Sequence, residues 1–209
     1  MNNLFDINSL SDNVTVKVVN NTKIYIKDNF YINPHEVADF ILSQPCNKWK
    51  SWESPSYNGT HFLDQRHDFY DERMLPVSAE IEKLCNEKVA QPTQVVTNCM
   101  TFYDKLFNNY KDNYWGPHSD LGYTALIYLN LETCEGTNFY EQLADDPWPT
   151  PEHYEPWRLK SRYKLIDTVE SKFNRMVLFN GAALQHGMSI NSDLFFNKLR
   201  INQAIFLTP

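Results

Sequence analysis

Short apolar segments that follow one another without a helical pattern between them fill the second half of the chain and restrict the folds open to it. Each segment is rich in β-branched and aromatic residues, which favour strands. Consecutive short strands without intervening helices are typical of antiparallel sandwiches and barrels. We therefore predict a mainly β fold with supporting helices (α+β), whose strands include 93–104, 123–132, 136–141, 163–171, 175–181 and 199–208.

The first half of the chain supplies a hairpin and two helices. Alternating β-branched residues on either side of Asn20-Asn21 predict a hairpin over 14–27. A capping asparagine followed by Pro34 predicts a helix over about 34–44. Apolar residues at helical spacing predict a second helix over about 76–88.

The length of 209 residues is enough for a single domain with a substantial core. Within 1–209 we assign 1–92 to the hairpin and supporting helices, and 93–209 to the strand-rich core. The connection 142–161 holds four prolines and two tryptophans. We interpret it either as a lid or interaction loop, or as a surface excursion packed by its own aromatic residues. Residues 45–75 show no regular pattern.

Charge and composition argue against several classes of protein. A net charge of −7 makes a duplex nucleic-acid binder unexpected, because such a protein needs a basic face to displace counterions. No segment approaches the roughly 20 consecutive apolar residues of a membrane span. The first residues lack the charged start and apolar run of a secretion signal. Four widely spaced cysteines are interpreted as reduced thiols, so we expect a cytoplasmic protein.

The stretch WGPHSDLGY places His118 and Asp120 two residues apart, directly before the predicted strand at 123–132. Side chains at i and i+2 of an extended segment point the same way, so both can face one metal ion. A third candidate ligand, His186, follows the strand at 175–181 and a turn at Asn180-Gly181. Two histidines and one carboxylate on one side of an ion form the facial triad of non-haem Fe(II) oxygenases. Zinc accepts the same ligands.

The other histidines do not form a comparable pattern with further candidate ligands. None of them stands at paired spacing with a third ligand, and we interpret all four as structural: His35, His61, His67 and His153.

Arg200 is a candidate for binding an anion in the protein interior. It lies 14 residues after His186, on a terminal strand that is otherwise largely apolar. An arginine that points into a barrel needs an anionic partner, and its guanidinium matches a carboxylate with two hydrogen bonds. A keto acid that chelates the metal at one end presents such a carboxylate at the other. The alternative is an outward-facing arginine in a surface salt bridge.

The order His118-x-Asp120, His186, Arg200 resembles that of the Fe(II)/2-oxoglutarate-dependent dioxygenase superfamily, and most of all its prolyl-4-hydroxylase-like branch. The stretch YTALIYLNLETCEGTNFY is similar to that branch's strand ending in Tyr-Leu-Asn with the turn that follows. The stretch NRMVLFNGAALQHG is similar to the strand that delivers the distal histidine. The resemblance covers about residues 95–209.

Three features depart from the pattern of that branch. Glu135-Gly136 stands where a pair of glycines is usual, and Asn202 stands where Ser or Thr is common. The spacing between His186 and Arg200 is longer than in many relatives. Lys198 is the alternative cation for the same pocket.

The resemblance implies a double-stranded β-helix of the jelly-roll, cupin-like type. It implies that His118, Asp120 and His186 hold Fe(II), with 2-oxoglutarate as cosubstrate and O2 as oxidant. The implied reaction hydroxylates a C–H bond of a peptide or small amino-acid-like substrate and forms succinate and CO2. Residues implied to line the cosubstrate pocket are Arg200, Tyr128, Tyr103 and Thr137, with ordinary strand packing as the alternative for the last three.

Two other functions fit the same residues. One is a metal-dependent cupin-type enzyme, for example with zinc, that does not use 2-oxoglutarate. The other is a non-catalytic jelly-roll binding module in which the triad is a structural remnant. The patterns leave the oligomeric state open.

Overall fold

The computed structural model describes residues 3–43, 46–48, 64–66, 72–86, 94–100, 110–146, 157–195 and 198–207. Several expectations fall outside these ranges and stay predictions. They concern Tyr103 with the end of its strand, most of 45–75, and the middle of the connection, 147–156. The second helix ends at Cys85 and not near residue 88, because Asn86 adopts the left-handed backbone conformation with a φ of 54°.

Strands dominate the described residues, and two α-helices accompany them. The helices are α1 (Pro34–Ser43) and α2 (Leu75–Cys85), and 3-10 turns cover Glu72–Met74 and Lys160–Arg162. Neither α-helix in the described ranges has the length or apolar character needed to cross a membrane. The strands are β1 (Val14–Val19), β2 (Thr22–Lys27), β3 (Cys46–Lys48), β4 (Asp64–Arg66), β5 (Gln94–Met100), β6 (Asn113–Trp115), β7 (Tyr123–Tyr128), β8 (Cys134–Gln142), β9 (Trp157–Leu159), β10 (Tyr163–Ser171), β11 (Arg175–Asn180), β12 (Gln185–Met188) and β13 (Arg200–Leu207).

The predicted hairpin and first helix are confirmed. β1 and β2 pair antiparallel, with Val19 opposite Thr22. Asn20 and Asn21 join them with φ angles of 46° and 61°, the left-handed region that a two-residue type I′ turn requires and that asparagine tolerates. α1 begins at Pro34 as expected, since proline at the first helical position loses no hydrogen bond.

Two antiparallel sheets form the body of the fold. The main sheet has the strand order β1-β2-β11-β7-β13-β5, and the small sheet has the order β10-β8-β12. Two short pairs, β3-β4 and β6-β9, stand apart from them. The predicted mainly β class with antiparallel strands is therefore confirmed.

Alternation along the strands of the main sheet creates two apolar layers. On β11, Met176 and Leu178 face one cluster, and Val177 and Phe179 face the other. The first cluster packs the sheet against α1, α2 and the N-terminal residues. The second packs it against the small sheet, which contributes Phe139. A strand buried on both faces reads as a continuous apolar run, which is why the central strands stood out in the sequence.

Five short strands among the described residues were not predicted. They hold three or four residues each, too few for a periodic pattern, and are β3, β4, β6, β9 and β12. β9 lies inside the connection 142–161 and pairs with β6, so Trp157 is opposite Trp115. That end of the connection is therefore tied to the body of the protein.

Acid should weaken the contact that joins the end of β2 to the start of β11. Asp28 accepts hydrogen bonds from Arg175 Nε at 2.6 Å and from Lys172 Nζ at 2.9 Å. The Arg175 hydrogen bond is the main cause that holds the pKa of Asp28 at about 2, although partial burial opposes it. Because the pKa is lower in the folded protein, this stabilisation is complete above about pH 4 and is lost as the pH falls towards 2.

Urea unfolding of the wild type and of Asp28→Asn between pH 5 and pH 2 tests this contact. We expect the wild type to lose more stability on acidification than Asp28→Asn, while Asp39→Asn, an exposed carboxylate on α1, should behave like the wild type. Parallel pH curves for the wild type and Asp28→Asn would contradict the assignment.

Candidate metal centre

His118 and His186 lie directly opposite each other across two extended segments. His118 N donates to His186 O at 2.9 Å, and His186 N donates to His118 O at 2.8 Å. Residues of antiparallel strands that exchange both backbone hydrogen bonds project their side chains to the same side. The two imidazole rings are accordingly 4.5 Å apart between centroids.

Asp120 completes the cluster from the same loop as His118. Its backbone N–H donates to Gly181 O at 3.0 Å, which holds the segment against the end of β11. Its Oδ2 lies 3.0 Å from His186 Nε2, and its Oδ1 lies 3.5 Å from His118 Nε2. One possible ligand atom from each residue lies within 4.8 Å of the others. The fold thus brings two histidines and a carboxylate together from two remote parts of the chain.

The hydrogen bonds of the two imidazoles determine their tautomers. His118 Nδ1 is 2.6 Å from Gly116 O, and His186 Nδ1 is 3.0 Å from Leu184 O. A backbone carbonyl only accepts, so each Nδ1 must donate, and each neutral ring is left with a lone pair on Nε2. Both Nε2 atoms point towards Asp120. Metal-ligating histidines typically have their second ring nitrogen tied to a carbonyl in this way.

Electrostatics favour a cation among these three side chains. Burial lowers the pKa of His186, which is 4% exposed, and the bond to Asp120 offsets this only in part. Burial also acts to lower the pKa of His118, but the hydrogen bond to Asp120 outweighs it and the net shift is upward. For Asp120, burial acts to raise the pKa, yet the two imidazoles hold it far below its usual range. The carboxylate and two imidazole lone pairs could hold a metal ion.

Thr124 and Gly181 support Asp120 and were not predicted. Thr124 Oγ1 donates to Asp120 Oδ2 at 2.6 Å from the first inward-facing position of β7. A Cβ on Gly181 would lie 2.7 Å from Thr124 Oγ1 and 2.8 Å from the Asp120 Cβ, so only glycine fits. The sequence had indicated a turn at Asn180-Gly181. The turn is made by the Asn180 side chain, whose Oδ1 accepts from two following backbone N–H groups.

A second polar cluster lies in the interior between the two sheets. Arg200 is 5% exposed, which rules out the surface salt bridge considered for it, and its Nη1 donates to Asn202 Oδ1 at 3.0 Å. The hydroxyl groups of Tyr128 and Thr137, both buried, are 2.6 Å apart. The Arg200 guanidinium carbon is 6.0 Å from the Tyr128 ring centre. Lys198, the alternative cation, is exposed.

Strand β8 connects the metal-ligand cluster with the arginine. Phe139 is paired with His186 across β8 and β12. Three residues earlier on β8, Gly136 O accepts from Arg200 Nη2 at 3.3 Å. Three residues of a strand span about 10 Å. The guanidinium of Arg200 thus reaches across from the main sheet to β8, three residues from the position that pairs with His186.

A cleft of about 600 Å³ borders the exposed side of His118. It is lined by residues of the loop before Asp120, by the ends of β8, β10 and β12, and by the two ends of the connection 142–161. The remaining described histidine, His35 on α1, has its ring 4.7 Å from that of Phe173 in the turn between β10 and β11, consistent with a structural role. His61, His67 and His153 lie outside the described residues.

Comparisons of the chain with models of known protein families and with curated proteins found no match. Any assignment of function therefore depends on the residues and on their arrangement.

The hydrogen bond from Thr124 should matter for metal affinity. Thr124→Val keeps the shape of the side chain and removes the donor to Asp120 Oδ2, so the carboxylate loses its orientation. We expect the affinity for Mn²⁺ or Co²⁺, measured by anaerobic calorimetric titration, to fall about 10-fold to 100-fold. Thr15→Val, at an exposed position on β1, serves as the control. An affinity equal to that of the wild type would show that Thr124 has no such role.

Proposed function

We propose that the protein is an Fe(II)- and 2-oxoglutarate-dependent dioxygenase that hydroxylates a C–H bond of a peptide or small amino-acid-like substrate. Succinate and CO2 would be the co-products. One observation carries the proposal: two histidines and a carboxylate converge on one point, and β8, which pairs with His186, accepts a hydrogen bond from the buried guanidinium of Arg200 three residues away.

The donor set favours iron with open positions. Two imidazole nitrogens and one carboxylate oxygen occupy one side of an ion and leave the other side to exogenous ligands. A single carboxylate leaves a divalent ion with a net positive charge, which favours an anionic chelator such as a keto acid. Bound Fe(II) supplies the redox chemistry that couples decarboxylation of 2-oxoglutarate to transfer of one oxygen atom from O2 to the substrate. The protein holds the ion, orients the cosubstrate and limits access of water.

Arg200 is the group we assign to the distal carboxylate of 2-oxoglutarate. Asn202 Oδ1 accepts from Arg200 Nη1 and Gly136 O accepts from Nη2, so the plane of the guanidinium is held in one orientation. The contact gives Asn202 a role in positioning Arg200, at a position where members of the prolyl-4-hydroxylase-like branch often have Ser or Thr. The hydroxyl groups of Tyr128 on β7 and Thr137 on β8 meet between the two sheets, and the one proton that their mutual hydrogen bond leaves over can be donated to the same carboxylate.

The order of the strands supports a double-stranded β-helix. After β5, the chain passes the His118 segment beside β12, enters the main sheet as β7, and forms the small-sheet strands β8 and β10. It then alternates through β11 in the main sheet, β12 in the small sheet and β13 in the main sheet. Such alternation between two facing sheets is what the jelly-roll type of fold requires.

Anaerobic titration of the Fe(II)-loaded protein with 2-oxoglutarate, followed by optical absorption, tests the proposal. A keto acid that chelates Fe(II) through two oxygens gives a weak visible charge-transfer band, which we expect to saturate at one equivalent. A cupin-type enzyme that does not use 2-oxoglutarate, or a non-catalytic module, would give no such band.

The same titration tests the role of Arg200. Arg200→Ala should weaken the affinity for 2-oxoglutarate at least tenfold, which corresponds to about 1.4 kcal/mol. Lys198→Ala removes a nearby cation that is exposed and should leave the affinity unchanged. An unchanged affinity in Arg200→Ala, or a loss in Lys198→Ala instead, would overturn the assignment of the pocket.

A further inference from the structure

The cleft beside His118 contains a buried hydrogen-bond acceptor whose orientation is determined by its neighbours. We define the glutamine cleft by the residues that line it and bear on its chemistry: Trp115, His118, Gln142, Asp146, Tyr163 and Gln185. Gln185 directly precedes the candidate ligand His186. Because side chains alternate along a strand, Gln185 projects from the opposite face of β12, towards the cleft.

A relay of two amide groups orients Gln185. Gln142 Nε2 donates to Ala144 O at 3.0 Å, and because a carbonyl only accepts, this identifies the nitrogen of the Gln142 amide. The Gln142 Oε1 atom therefore faces Gln185 and accepts from its Nε2 at 2.8 Å. The Oε1 atom of Gln185 is therefore the end of the amide that makes no bond to Gln142.

That oxygen is buried and has no hydrogen-bond partner among the residues that the structure describes. A buried acceptor left without a donor costs on the order of 1–3 kcal/mol, so a ligand that supplies an N–H gains from meeting it. Gln185 lines the cleft, and because the terminal torsion of a glutamine side chain is soft, its oxygen can turn towards a ligand bound there.

The charges in the cleft favour a neutral donor. The carboxylate that lines the cleft belongs to Asp146, whose side chain is 4% exposed. Tyr163 Oη donates to Asp146 at 2.8 Å, and the guanidinium nitrogens of Arg158 and Arg162 lie 3.4 Å and 3.6 Å from it. Two guanidinium groups against one carboxylate disfavour an ammonium ligand. An uncharged amide N–H meets the Gln185 oxygen without this penalty, and the ring of Trp115 offers an apolar wall beside it.

We propose that the glutamine cleft binds the primary substrate of the dioxygenase and selects a secondary or primary amide through an N–H···Oε1 bond to Gln185. This inference rests on the proposed function, because it places the substrate beside the candidate metal ligand His118. It names Gln185 as the residue that determines specificity and Gln142 as the residue that positions it. Tertiary amides, which have no N–H, are selected against.

Two small amides that differ in this one N–H group serve as probes. We would titrate metal-free, full-length protein with N-methylacetamide and with N,N-dimethylacetamide and follow the side-chain amide resonances of Gln185 and Gln142 by NMR. The wild type should prefer N-methylacetamide about fivefold, which corresponds to about 1 kcal/mol. Gln185→Leu should abolish the preference.

Gln142→Leu provides a second variant at an exposed position, where loss of folding is not a concern. Without Gln142 the Gln185 amide is free to turn, so the preference should shrink. Glu141→Leu, next to it on β8 and also exposed, is the matched control and should keep the wild-type preference. Equal affinity of the wild type for both amides, the absence of saturable shifts with either, or a preference that persists in both glutamine variants would overturn the proposal.

A relaxation measurement distinguishes a failure of this inference from a failure of the proposed function. In the Mn²⁺-loaded protein, the methyl protons of bound N-methylacetamide should relax faster than in the Mg²⁺-treated protein, and Gln185→Leu should remove the difference. Binding without this enhancement, in protein shown to hold Mn²⁺, places the amide away from the metal and overturns the substrate assignment alone. Loss of Mn²⁺ binding itself, or of the 2-oxoglutarate band, instead counts against the proposed function. The amide preference does not depend on that outcome, because it is measured without metal.

Discussion

The reciprocal pair of backbone hydrogen bonds between His118 and His186 is the constraint on which the candidate site depends. It joins a loop in the middle of the chain to a four-residue strand nearly 70 positions later, and it forces both imidazoles to the same side. Asp120 lies two residues after His118 and therefore faces the same side. Its backbone hydrogen bond to Gly181 holds the loop against β11. Everything proposed about metal and cosubstrate requires this geometry.

When both imidazoles are neutral and no cation is bound, the site brings together groups that repel one another. Each ring donates from Nδ1 to a backbone carbonyl, so in the neutral form only its acceptor nitrogen faces Asp120. Such an arrangement adds nothing to stability by itself, and sites of this kind are where proteins depart from the rules that govern their cores. Around it the fold provides a buried arginine between the sheets and a polar cleft in which the Gln185 oxygen accepts no hydrogen bond from the described residues. In the function that we propose, 2-oxoglutarate would bind towards the arginine and the substrate in the cleft beside His118.

Much of this arrangement could be predicted from the sequence because its signals are local. Asn20-Asn21 between alternating strands, Pro34 at a helix start and the apolar runs of β7 and β11 each carry their own pattern. The His-x-Asp fragment was visible for the same reason. β12 is too short for a pattern and is defined by its partner β8, and Gly181 appeared to be a turn residue because its close approach to Asp120 exists only in three dimensions. Gln185 carried no signal, since its role follows from a contact with Gln142.

A crystal structure of the protein grown anaerobically with Mn²⁺ tests the central claim most directly. An anomalous difference peak is expected within about 2.2 Å of both Nε2 atoms and of one Asp120 oxygen, in the range of metal bonds to imidazole and carboxylate. The carbonyl contacts of both Nδ1 atoms should be unchanged. A map with no peak between these three side chains, or with the His118 ring turned away from Asp120, would contradict the account.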